Sequence, residues 1–111
     1  MAIYKPPITL LRATDLPTDR DTVVTIQSVT EEDLKYGAKP AKKPVLWFRE
    51  LEKGFALNVG NGNVVVGLFG YEMDDWVGQR IALFIDKNVE YNGERVSAIR
   101  VRPHRLADDH S

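Results

Sequence analysis

The stretch Phe55-Ala56-Leu57-Asn58-Val59-Gly60-Asn61-Gly62-Asn63-Val64-Val65-Val66-Gly67-Leu68-Phe69-Gly70 changes its period partway through. Phe55 to Val59 reads as a strand. From Asn63 to Phe69, Val64, Val65, Leu68 and Phe69 are spaced to bury one face of a helix, with Asn61 as its cap. Gly70 suits the left-handed position after the last turn. Three consecutive valines are poor helix formers, so caps and spacing carry this assignment.

Upstream, Thr22-Val23-Val24-Thr25-Ile26-Gln27-Ser28-Val29 is rich in β-branched residues and largely alternates, so it predicts the first strand. Ile8 to Leu16 reads as a short helical turn plugging one end of the core, stopped at Pro17. Thr30 to Lys43 is polar and broken by Gly37 and Pro40, which predicts a long loop. Val45-Leu46-Trp47-Phe48 is the second strand, and Glu52-Lys53-Gly54 a tight connection to the third.

Downstream, Asp74-Asp75-Trp76-Val77-Gly78 reads as a short turn whose tryptophan folds back onto the core. Arg80 to Ile85 is the fourth strand. Asn92-Gly93 signals a type I′ hairpin, which needs positive φ at both positions. It leads to the fifth strand, Val96 to Arg102, which Pro103 ends.

Three strands, a helix and a final hairpin give a mostly β chain. The predicted fold class is a five-stranded OB-fold Greek-key barrel with one helix between strands three and four. An SH3-like barrel lacks that helix, and a ferredoxin-like fold needs two. Residues 1–103 form the barrel domain and residues 104–111 a flexible tail.

Bulk composition is that of an ordinary globular domain: 111 residues, 43% hydrophobic and 28% charged. The absence of cysteine excludes a disulfide scaffold, a thiolate zinc site and a cysteine nucleophile. No signal peptide or membrane span is visible, so a cytoplasmic location is expected. With 15 basic and 16 acidic residues the net charge is −1. A polyanion can therefore be bound only where cations gather on one face.

The run Val45-Leu46-Trp47-Phe48, then Leu57-Asn58 with Asn61, then Asp75-Trp76-Val77-Gly78 and Ile99-Arg100-Val101-Arg102, resembles a family of small OB-fold proteins. These are encoded in phage and prophage genomes and are single-stranded DNA-binding-like. The likeness spans Leu11 to Pro103 and departs at Gly60 and Gly62, where the family more often has polar or helix-favouring residues. It implies an OB barrel and a role in phage or mobile-element DNA metabolism.

OB barrels bind oligomers across strands two and three, between the loops joining strands one–two and four–five. Bases stack on exposed aromatics while cations track the phosphates. If Leu46 and Phe48 face the core, Trp47 lies outside as a stacking platform; alternatively it covers a helix or loop. Arg100 and Arg102 lie opposite Ile99 and Val101, roughly 7 Å apart by the strand rise. They suit two successive phosphates, or a surface ladder paired with carboxylates.

Lys35, Tyr36, Lys39, Lys42 and Lys43 make a basic loop with one aromatic, either a clamp over a single strand or a solvated linker, and Glu31, Glu32 and Asp33 partly cancel its field. Tyr91 is a second stacking candidate or a cross-strand partner. Glu72, Asp74 and Asp75 are read as turn caps rather than metal ligands. His104 and His110 fall in the tail. No phosphate loop, nucleophile elbow or helical zinc motif is present, so no catalytic residue, metal or cofactor is expected. Single-stranded nucleic acid is the expected partner. The alternative is a protein-interaction or oligomerisation module.

Overall fold

The computed structural model describes residues 8–36, 39–104 and 106. Among these residues five strands form one antiparallel sheet: β1 (Thr22–Tyr36), β2 (Lys39–Phe48), β3 (Phe55–Ala56), β4 (Arg80–Tyr91) and β5 (Glu94–Val101). They lie in the order β3-β2-β1-β4-β5. One helix, α1 (Val59–Phe69), falls between β3 and β4, as its spacing predicts. A 3₁₀ turn at Met73–Trp76 follows it.

Strand β1 organises the sheet because it serves two partners. Thr22–Thr25 pairs with β4, and from Ile26 onward the strand pairs with β2. The changeover coincides with an irregularity between Ile26 and Ser28, where an extra residue bends the strand. Gly78 N donates to Ile26 O (2.7 Å) and Ile26 N to Gln79 O (2.9 Å), fixing the bend against the start of β4. From the β2–β3 connection Glu50 clamps Thr25, accepting from its backbone N (2.7 Å) and its hydroxyl (2.8 Å).

The core lies on the face carrying Val24, Ile26, Leu46, Phe48, Leu83, Ile99 and Val101, closed by Val65 of α1 and by Trp76. Trp76 is 4% exposed, and its indole Nε1 donates to Gly70 O (2.9 Å). The tryptophan of the 73–76 turn thus folds back as its sequence context suggests. Asn92 (φ 52°) and Gly93 (φ 79°) both adopt positive φ, the type I′ requirement for the β4–β5 hairpin.

Three sequence expectations need correction. Residues 30–43 are not a loop: β1 and β2 continue as a paired ladder to Tyr36 and Lys39. The third strand shrinks to Phe55–Ala56, because the chain turns into α1 at Asn58. Asn58, not Asn61, is the helix cap, its side chain accepting from Asn61 N (2.7 Å). The first segment does make a short helical turn, the 3₁₀ turn Ala13–Asp15.

The sheet is open. Strands β3 and β5 are its two edges, and other elements occupy each. Thr9–Leu11 runs beside Gly54 in parallel, with Leu11 N donating to Gly54 O (2.8 Å) and Gly54 N to Thr9 O (3.0 Å). On the other side Asn61 of α1 reaches β5. Its Nδ2 donates to Ile99 O (2.9 Å), and Val101 N donates to its Oδ1 (3.2 Å). One side-chain amide thereby substitutes for a neighbouring strand's peptide group. Between these two closures lies a cleft of about 860 Å³ bordered by Leu10, Arg12, Lys53, Phe55, Asn58 and Ile99. No described helix is long and apolar enough to cross a membrane.

Candidate nucleic-acid interface

The β1–β2 register sorts the charges of the hairpin. Directly paired residues share a face, so Val29–Leu46, Glu31–Pro44 and Asp33–Lys42 alternate with Ser28–Trp47, Thr30–Val45 and Glu32–Lys43. The first set continues the core face outward and carries two of the three carboxylates. The second is the face away from the main core, with Trp47, Lys43, a single carboxylate, Glu32, and Val45, which is itself fully buried there. Backbone pairing runs on to Tyr36 and Lys39, whereas the side chains of Lys35, Tyr36 and Lys39 lie outside the described structure. Lys42 is exposed and sits opposite Asp33, away from Trp47.

Trp47 takes the outer face as expected, because Leu46 and Phe48 are buried. It is part-buried rather than uncovered. Its indole Nε1 donates to Thr30 Oγ1 (2.8 Å), and its six-membered ring lies over Gly54. The hydroxyl and the glycine floor fix the plane of the ring.

Arg100 and Arg102 share a face, as alternation requires, but each has an acidic neighbour. Arg102 grips Asp21 through Nε and Nη2, both at 3.0 Å, and its Cζ stands 3.8 Å from the centroid of the Phe84 ring. These hydrogen bonds hold the Asp21 carboxyl below its ordinary range and raise Arg102. Arg100 Nε lies 3.8 Å from Asp86 Oδ2. The ladder reading of this pair is therefore the one the geometry displays.

Among the described residues the candidate cations do not form one cluster. From the shared β1–β4 ladder, β1 runs one way to the Tyr36 end, whereas β4 runs the other way to Tyr91. Arg100 and Arg102 pair near Leu83 and Phe84, on the second half. Tyr91 is 67% exposed at the β4–β5 tip, with Glu94 opposite it.

Glu72 makes no side-chain cap on the 73–76 turn, and Asp74 and Asp75 stand exposed in its first turn. Among the described residues no three histidines or carboxylates gather around one point. His104 is exposed, and His110 lies outside the described residues. Sequence reading missed Asn61 as a seam residue and Asp21 and Asp86 as arginine partners. Asp86, two residues beyond Phe84 in an alternating strand, carried a readable signal; Asp21 did not. Comparison of the chain with protein families, curated proteins and solved structures finds no match.

Proposed function

We propose that the chain is a non-enzymatic OB-type binding module that takes single-stranded nucleic acid across the outer face of β1, β2 and β3. The observation supporting this most is the sorting of the hairpin: Trp47 and Lys43 share a face that keeps one carboxylate, Glu32 opposite Lys43, and from which Glu31 and Asp33 are turned away. A fixed indole offers any base a stacking surface, and a cation on the same face, Lys43, can meet the backbone. Open pairing between β3 and β5 is compatible with an OB barrel, whose five strands are partly open. The sequence resemblance to phage-encoded OB proteins points to DNA metabolism of mobile elements.

Titration of a labelled thirty-mer by fluorescence anisotropy tests this. Binding is expected to weaken linearly on a log–log plot against salt. Trp47→Ala should loosen it roughly 5- to 150-fold, the equivalent of one lost stack at about 1–3 kcal/mol. Absence of binding at low salt removes the proposal.

A protein-interaction module is the second reading. From Gly54 to Tyr71 no residue is charged, yet Val59 is 77% and Tyr71 87% exposed. Depletion of charge with exposed aromatic and aliphatic groups is characteristic of the centre of protein interfaces. Light scattering distinguishes the two: a concentration-dependent dimer that Val59→Lys dissolves favours this reading, and a strict monomer that binds the oligonucleotide favours the first.

A further inference from the structure

Away from Trp47, Arg100 and Arg102 of β5 each stand beside a carboxylate, Asp86 and Asp21. We infer that Asp21 and Asp86 are internal competitors for phosphodiesters: they occupy the two arginines in the free protein and give way to a bound strand. The inference rests on the nucleic-acid reading above and names a regulation of it.

Four observations support the exchange. Arg102 holds Asp21 with two hydrogen bonds of 3.0 Å, and a guanidinium takes a phosphate through the same two-pronged geometry. Phe84 stacks against Arg102 at 3.8 Å, so the guanidinium stays oriented without the carboxylate. Both pairs reach solvent, with side chains 33–38% exposed, and exposed pairs are weak enough to trade partners. Arg100 and Arg102 also lie opposite buried Ile99 and Val101, just as Trp47 lies opposite buried Leu46 and Phe48. Both groups thus belong to the non-core face of one sheet.

The chain supplies its own control. Asp19 carries the same charge two residues from Asp21 but sits 3.8 Å from Arg20. Asp19→Asn and Asp21→Asn therefore change net charge equally, and only the second frees Arg102. Against a thirty-mer of thymidylate, Asp21→Asn is expected to bind about three- to fivefold tighter than Asp19→Asn, matching release of one exposed pair. Its log–log salt slope should steepen by about 0.7, one more phosphate on a single strand. The gain should vanish when Arg102→Ala is added.

Asp86→Asn repeats the test on Arg100 should Asp21→Asn fail to fold, which its melting curve reports. Equal affinity of the Asp19 and Asp21 variants overturns the inference while leaving the binding proposal intact. Binding by none of the proteins removes the proposal and the inference together. Competition by millimolar inorganic phosphate at matched ionic strength assigns the arginines to free phosphate and also overturns the inference.

Discussion

Asn61→Ala should destabilise the fold by about 2–4 kcal/mol, because two backbone groups of β5 lose their partner inside the structure. Asn61 is 2% exposed, and its amide binds Ile99 O and Val101 N simultaneously. Alanine leaves one acceptor and one donor unpaired where water has little access. Aspartate is no remedy: it can still accept from Val101 N, but it sets a carboxylate oxygen against Ile99 O. For a domain this size the midpoint of thermal unfolding should fall by roughly 10–20 °C. Asn58→Ala removes only the helix cap and should cost about 1 kcal/mol. The Val101 amide should exchange with solvent faster in Asn61→Ala than in Asn58→Ala. Equal melting of the two variants would show that the seam is held by something other than this side chain.

The same residue shows where sequence reading stops. Asn58, Asn61 and Asn63 are all acceptable caps locally, and nothing in their spacing ranks them. The ranking comes from β5, forty residues away, whose unpaired edge requires a donor and an acceptor together. By contrast Asn92-Gly93 was legible, because positive φ at two consecutive positions is a local demand that few residue pairs meet. The core alternation of β2 and β5 was legible for the same reason.

The 30–43 segment misled because Lys, Gly and Pro are counted against strands one residue at a time. Pro44 O accepts from Leu57 N (3.0 Å), so this residue directs its backbone groups away from β1. Its missing N–H therefore costs the β1–β2 ladder nothing, and Pro40, four residues earlier, has the same parity. Lys42 and Lys43 face Asp33 and Glu32 across the ladder, so charges that look like a solvated run are cross-strand complements. Of the proposed site, Trp47's orientation was readable from alternation. The engagement of Arg102 was not, since Asp21 lies eighty-one positions away.

Gly54→Val should be as damaging as the loss of Asn61, by the opposite mechanism. A Cβ at Gly54 would lie 2.6 Å from Val45 Cγ1 and 3.1 Å from two ring carbons of Trp47. The backbone cannot withdraw, because Gly54 N and O are both bonded to Thr9–Leu11. Val45 is fully buried, and Trp47 is tied to Thr30. Alanine should cost about 1–3 kcal/mol through overpacking, and valine about 3 kcal/mol or more. Gly67→Ala is the matched control. It is helical with open space around the new methyl, so it should stabilise by about 0.5–1 kcal/mol. Relief of strain at position 54 requires Val45 Cγ1, the nearest atom at 2.6 Å, to shift and the indole ring carbons at 3.1 Å to give way with it. Gly54→Ala should therefore also weaken oligonucleotide binding and shift the Trp47 indole N–H resonance, whereas Gly67→Ala leaves both unchanged. If Gly54→Ala melts with the wild type and keeps its affinity, the glycine is not the floor on which Trp47 rests.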